Sequence, residues 1–313
     1  MAKISILMST FNEGENYIRE SVESILNQSF CDFELIVIND NPARKDISNI
    51  LQSYNDPRII YLSNDKNIGL AMSMNQAAKY ATSSIYARMD ADDIAESDRL
   101  QVQFDLLTSG KYDLVFSNYT LIDDNSEPIC DNKKTKNDQE GLSLSKSIAL
   151  NPSIVHHPTV MMTKEIFERV NGYRNFPCSQ DADLWLRLQE VGCRFYRTGK
   201  SLLRYRVNSH SISRKKWFMQ RLTWYYIFDL SVERLRHNGC DSYSLENYKK
   251  MLDTRGVENP KSELKLQKSY KYLQRAQGCK GIARLFYRVL AFTSHPILRQ
   301  YYKNVRYKTK KIR

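Results

Sequence analysis

"SIYARMDADDIAES", residues Ser84–Ser97, runs from an apolar, β-leaning segment straight into Asp90, Asp92 and Asp93. Three carboxylates within four positions repel one another. A chain that sets them at the end of a buried strand needs a partner for them there. Outward from this stretch, the first 120 residues repeat one pattern. "ISILMST" (4–10), "FELIVIND" (33–40), "RIIYLSN" (58–64) and "YDLVFSNYTLI" (112–122) also read as strands. Between them, "ENYIRESVESILNQ" (15–28), residues 46–54, "GLAMSMNQAAKYA" (69–81) and residues 97–107 read as helices; Ile18, Val22, Ile25 and Leu26 show the spacing. Alternating strands and helices, with strands apolar throughout, imply an α/β fold. Its sheet is mainly parallel and carries helices on both faces. Ligands of such sheets gather at the carboxyl ends of the strands, and the acidic cluster falls on that edge.

The chain has 313 residues, 42% of them hydrophobic, enough for a substantial core. No run of 18 apolar residues predicts a spanning helix. The start, "MAKISILMSTFNEGE", reads as a strand rather than a secretory leader. Six scattered cysteines without a C-x-x-C pair fit reduced thiols better than a disulfide framework or zinc site. The net charge of +12 is uneven: residues 214–313 hold 24 Lys and Arg against 7 Asp and Glu, while the rest is slightly acidic. A catalytic body (1–213) and a basic, aromatic, mostly helical C-terminal region (214–313) are expected. Such a region attracts polyanions, nucleic acid or an anionic membrane surface.

Residues 123–140 are polar and turn-rich, and read as a surface loop or a lid. Structure is expected to resume at Asn151. "HPTVMMTKEIFERVNGY" (157–173) reads as strand then helix, "DADLWLRLQEVG" (181–192) as a helix, and 194–213 as short strands. Asn259-Pro260 and Pro296 break the C-terminal helices.

Asp90 and Asp92, two apart in an extended segment, share a face and suit a divalent cation with its phosphates. Alternatively, Asp92 or Asp93 caps the next helix. Asp40 either reads a base or ribose at the second strand end or makes an Asx-turn before Pro42. Gly69 lets the backbone enter a helix whose N-terminus can face phosphate, or is an ordinary loop glycine. A nucleotidyltransferase would need a glycine-rich basic loop where "STFNEGE" is acidic. A nucleic-acid-binding protein fits the basic tail but not the acidic body.

"STFN", "VIND", "NIGLAMSMNQA", "ARMDADD", "HPTVM" and "QDADLWLRL", in this order, resemble the family 2 glycosyltransferases of GT-A fold over about residues 3–213. The resemblance implies inverting transfer of a sugar, a hexose from a UDP donor, to a hydroxyl of a saccharide acceptor. It points to bacterial surface polysaccharide and to Mn2+ or Mg2+ as cofactor. Asp92 matches the direct metal ligand and Asp90 the carboxylate facing metal and ribose. Thr10 and Phe11 match the lining of the uracil ring and Asp40 the carboxylate that reads it; Asn12, Asn67 and Gly69 are further candidates for binding the donor. Arg88 is placed to approach the diphosphate or to form a surface salt bridge with Asp90 or Asp93. Asp181 matches the catalytic base, with Asp183 its rival. His210 resembles a late metal ligand, and Arg206 stands where it can meet diphosphate. His156 and His157, if on a strand, face opposite ways, so at most one looks into the cleft. Phe11 for Tyr, Asn39 for Asp and Gln180 for Glu depart from the family pattern and bear on donor choice. A lipid-linked acceptor and peripheral attachment at the cytoplasmic face of a membrane are expected. Nucleic acid is not, and oligomerisation is left open.

Overall fold

The computed structural model describes residues 2–130, 137–207, 217–257 and 259–311. The chain divides into two compact units, Met1–Ser211 and Ile212–Arg313.

In the first unit the strands are β1 (Ile4–Thr10), β2 (Phe33–Asn39), β3 (Ile59–Ser63), β4 (Ile85–Asp90), β5 (Ile94–Ala95), β6 (Leu114–Ile122), β7 (Pro128–Cys130), β8 (Gln139–Glu140), β9 (Met161–Thr163) and β10 (Phe195–Arg206). The helices are α1 (Glu15–Leu26), α2 (Asp46–Gln52), α3 (Leu70–Tyr80), α4 (Arg99–Thr108), α5 (Gly141–Leu150), α6 (Lys164–Arg169) and α7 (Gln180–Glu190). All the strands join one sheet, ordered β3-β2-β1-β4-β9-β6-β10-β5, with β7 on β6 and β8 on β10. Strands β3, β2, β1 and β4 are mutually parallel. The short β9 runs antiparallel to both β4 and β6, and β10 is parallel to β6. The carboxyl ends of β1 to β4, β6 and β10 therefore share one edge.

The apolar strands are buried on both faces. Ile4, Ile6, Met8, Leu35 and Val37 pack with Ile18, Val22, Ile25, Leu100 and Leu107 of α1 and α4. Leu7, Ile36 and Ile38 pack on the other face with Met74 and Ala77 of α3 and Leu184, Trp185 and Leu188 of α7. Period-2 alternation in the strands thus feeds two cores. At the chain reversal after α6, Gly172 has φ +63, and a Cβ there would meet Asn75 Oδ1 at 2.6 Å, so both conformation and space require glycine.

Three expectations are corrected. Residues 123–140 are not one long loop: Asp123 closes a tight turn through the amides of Asn125 and Glu127, and β7 and β8 follow on the sheet. Structure resumes ten residues early, with α5, whose Leu144 and Ile148 are buried one turn apart. Within the described residues, 195–206 form one strand rather than several; register shifts between Thr198 and Arg204 break its alternation and hide its length from the sequence.

The second unit comprises α8 (Trp217–Arg236), α9 (Leu245–Thr254), α10 (Pro260–Gly278), α11 (Gly281–Ser294) and α12 (Pro296–Lys311). Helix α8 has no single apolar face, and its buried residues lie on several sides. Its Phe218, Leu222 and Tyr225 form a core with Leu266 of α10 and with Ile297 and Leu298 of α12. Asn259-Pro260 is a helix start rather than a mere break: the Asn259 side chain accepts from Lys261 N at 3.0 Å and Pro260 occupies the first turn. No helix among the described residues is long and apolar enough to cross a membrane.

Candidate active site

Strand β4 delivers Asp90 to the shared edge, directly beside Ser9 of β1. The extended geometry expected for Asp90 and Asp92 does not continue, because residues 91–92 form a turn before β5. The turn still crowds the carboxylates. Burial, then the neighbouring Asp90 and Glu13, push Asp92 up to about 7. Asp93 is fully buried and is pushed well above the carboxylate range by burial and by Asp90 and Asp92. Glu13, just past β1, is raised by burial, with Asp90 adding to it, although it accepts from Phe11 N at 2.6 Å. Neither Asp92 nor Asp93 caps α4, since Asp98 stands at that position.

Two arginines brace the cluster. Arg88 is 3% exposed and pairs with Asp90, so its ion pair is buried rather than superficial. Arg206 is not free to meet a diphosphate. Its guanidinium donates to Asp92 O at 2.8 Å, Asp123 O at 2.9 Å and Ser126 Oγ at 3.0 Å, and pairs with Glu20. It also stacks on Tyr17 at 4.3 Å, while its amide donates to Asp93 at 2.9 Å. Arg206 thus clamps the end of β10 to the acidic turn.

On the β1–β2 side, Thr10 is buried, while Phe11 and Asn12 are exposed at the rim. Asn41 donates to both Phe11 O (3.2 Å) and Asn12 Oδ1 (2.9 Å), joining the two strand-end loops. Asp40 is 3% exposed and makes no Asx-turn; the turns near Pro42 belong to Asn39 and Asn41. Instead its carboxylate accepts from Asn64 Nδ2 (2.8 Å), Ile68 N (2.9 Å) and Gly69 N (2.8 Å). It therefore fills the anion-favouring start of α3 that the sequence reading left for phosphate. Gly69 there has φ +84 and ψ 155, a region only glycine enters easily. Asn67 is exposed and accepts from the same Gly69 amide at 2.9 Å.

Helix α7 separates the two rival carboxylates. Asp183 is fully buried and bonded to Arg187 at 2.8 Å, with Arg174 at 3.8 Å. Arg187 in turn donates to Val170 O and Gly172 O. That group holds the turn after α6. Asp181, one position into the helix, is only partly buried. Its carboxyl is raised by burial, against helix-start amides that lower it, and it feels both Asp90 and Arg88. Ser179, immediately before Gln180, adopts φ +56, a strained conformation for a non-glycine residue that often marks a working site.

His156 and His157 are not on a strand: residues 157–159 form a 3-10 turn. His157 is a buried, structural histidine, 2.7 Å from the Tyr173 hydroxyl and held neutral by burial and by Arg88. His156 stacks on Tyr119 (3.9 Å) and meets Tyr205 edge-on (4.6 Å). Tyr205 is raised by burial and by Asp90, Asp93 and Asp92, which places this aromatic group beside the acids.

The donor set suits a divalent cation, because positive charge would offset the burial and the neighbouring carboxylates that raise Asp92. Among the described residues no three His, Cys, Asp or Glu side chains are grouped to hold a metal alone. A cation at Asp90 and Asp92 would take further oxygens from a bound diphosphate. His210 lies outside the described residues. Glu13, Tyr119 and Tyr205 were missed in the sequence; only the position of Glu13 just beyond a strand end offered a signal.

Residues 5–170 match the model of Glycosyl transferase family 2. An uncharacterized glycosyltransferase of Methanocaldococcus jannaschii is 32% identical over 237 residues, 75% of this chain and 81% of that protein. The putative teichuronic acid biosynthesis glycosyltransferase TuaG of Bacillus subtilis is 29% identical over 234 residues, 74% of this chain and 89% of that one. The S. aureus TarS 1-349 crystal structure in complex with UDP-GlcNAc has a TM-score of 0.66, covering 95% of this chain and 92% of its own. At 14% identity that likeness speaks for the fold alone. With a family match over more than half of its length and a sheet whose carboxyl edge gathers the site, this chain belongs to glycosyltransferase family 2 and has the GT-A fold.

Proposed function

We propose that this protein is an inverting, divalent-cation-dependent glycosyltransferase that moves a hexose from a UDP-sugar to a saccharide hydroxyl in the synthesis of a bacterial surface polysaccharide. The observation that carries the reading is the division of roles in α7. Asp183 is locked to Arg187, whereas Asp181 is partly accessible and electrostatically coupled to Asp90 and Arg88. One carboxylate of α7 therefore stays partly accessible and close enough to the acidic edge to feel its charge. The assignment rests on this electrostatic coupling and on the burial of Asp183, since α7 lies beyond the matched residues 5–170.

Asp181 takes the proton of the acceptor hydroxyl as its oxygen attacks the anomeric carbon. The bond from that carbon to the diphosphate oxygen breaks, the configuration inverts, and UDP leaves. A raised carboxyl is a better base than an ordinary one, provided the pH keeps it ionised. Phe11 offers an exposed ring to a base, Asn12 and Thr10 flank it, and Asp40 holds the adjoining loop in place. Arg88 sets Asp90. A cation held by Asp92 and Asp90 would supply positive charge against the departing diphosphate. The place in surface polysaccharide synthesis is supported by the likeness to TuaG; the TarS structure shows that this fold accommodates a UDP-sugar.

The test is a panel of nucleotide-sugars, each with an acceptor and with Mn2+, Mg2+ or EDTA, with the product anomer read by NMR. Cation-dependent release of UDP with inversion is expected. Retention of configuration, or equal turnover in EDTA, would remove the corresponding part of the proposal.

A further inference from the structure

The second unit leaves an apolar face uncovered. Ile282, Leu285, Phe286 and Val289 of α11 are 87%, 64%, 57% and 50% exposed. At 100° per residue these four lie within an arc of about 100°. The helix is turned the opposite way from one that packs by its apolar stripe. Its one fully buried residue is Ala291, on the far side, where Tyr287 also stacks on Tyr272 of α10 at 6.4 Å. Lys280, Arg284 and Arg288 are exposed; Arg288 borders the apolar arc, about 60° round from Leu285, whereas Arg284 and Lys280 lie farther round, toward the side of Ala291. From Leu264 to Arg313 the chain holds 14 Lys and Arg and no Asp or Glu.

We propose that α11 lies in the surface of an anionic lipid bilayer. Its apolar arc inserts among headgroups and upper acyl chains, while Arg288 at its edge and the wider excess of cations in residues 264–313 meet lipid phosphates. Its 14 residues extend about 21 Å, too short to span a bilayer but suited to lying along one. Apolar insertion and cationic attraction together are what hold such a helix at the interface. Charge argues against a second copy as the occupant. A symmetric contact through this face would set Arg288 against its own duplicate and bring together two copies of a segment, residues 264–313, that holds 14 Lys and Arg and no Asp or Glu. A nucleic acid would satisfy the cations but leave the four apolar side chains in water. The inference stands apart from the transfer chemistry, since lipid binding needs neither donor nor acceptor.

The test is co-sedimentation of the full chain with vesicles of phosphatidylcholine, pure or mixed with phosphatidylglycerol, at low and high salt. Binding to the mixed vesicles that weakens with salt is expected. Phe286→Ser with Val289→Ser should lower partitioning at least ~10-fold through lost apolar insertion. Arg284→Gln with Arg288→Gln should lower it ~10-fold or more at low salt. All four side chains are exposed, so the variants keep the fold, which their circular dichroism checks. As an independent reading, Phe286→Trp should gain fluorescence quenched by brominated lipid beyond that of the native tryptophans. The proposal is overturned if the apolar variant binds like the parent, which would mean mere electrostatic adsorption. It is equally overturned if that variant only turns an oligomer into a monomer on sedimentation, which would make the face a self-association surface.

Discussion

At the carboxyl edge of the sheet, Glu13, Asp90, Asp92 and Asp93 are gathered partly or wholly out of water, and burial and mutual repulsion raise the carboxyls of Glu13, Asp92 and Asp93. On α11 the reverse holds: apolar side chains stand in water with Arg288 at their edge. The first unit hides charge, and the second displays hydrocarbon. Both arrangements work against stability, yet the surrounding packing in each unit is ordinary. Local rules broken inside a consistent fold point to function. The difference lies in the kind of partner proposed for each: a small, hard cation for the edge, and a broad anionic surface for the helix.

The largest effect expected is on turnover. Asp181→Asn should transfer sugar ~10²–10⁴-fold more slowly with donor affinity little changed, the scale of general base catalysis. Asp183→Asn should do something else, removing one partner of a buried pair and costing about 3–5 kcal/mol of stability. Turnover and thermal unfolding of both variants check this. If Asp183→Asn kept its melting temperature and lost turnover, the roles within α7 would be reversed.

Next comes the loop held by Asp40. Asp40→Ala strands the amides of Ile68 and Gly69 and the side chain of Asn64, so a loss of about 1–3 kcal/mol is expected, together with weaker UDP binding. Calorimetric titration of UDP and a melting curve measure both. Unchanged UDP affinity in a variant that melts lower would make Asp40 purely structural.

The acidic edge also predicts a pH dependence. In the folded, metal-free protein Asp92 titrates at about 7, above its ordinary 3.8. Between those values the folded state holds a proton that the unfolded state has lost. Stability therefore falls as pH rises through that window. Manganese should raise the melting temperature more at pH 8 than at pH 5, by several degrees, given about 2–4 °C per kcal/mol for a unit of this size. Asp92→Asn should abolish the difference. An equal gain at both pH values would remove the cation from this edge.

The smallest effect sharpens the contrast from the other side. Ile282→Ser, at a side chain 87% exposed, should change stability by no more than about 0.5 kcal/mol. Leu266→Ala, at a fully buried position of the same unit, should cost about 2–5 kcal/mol. A costly Ile282→Ser, seen in the melting curve, would mean that the apolar arc is covered after all.

The sequence by itself determined the layered α/β body. Strands such as Leu35–Ile38 are apolar on both faces, and helices such as Ile18–Ile25 show one face, so local periodicity carries that information. It also determined that acids stand at the end of β4, because strand ends show as abrupt changes of polarity. What only the tertiary structure decided depends on residues distant in the chain. Asp40 is met by Asn64, Ile68 and Gly69, and Arg206 by Glu20, Asp92, Asp123 and Ser126. No local pattern announces such bonds. The choice between Asp181 and Asp183 turned on Arg187, four residues on in the helix and legible as a pair, but also on Val170 and Gly172, which are not. The stripe on α11 was visible as a pattern, yet a helical pattern does not say which way it faces. Exposure is a property of the neighbours, and only the packing of Ala291 and Tyr287 inward turned Ile282, Leu285, Phe286 and Val289 to the outside.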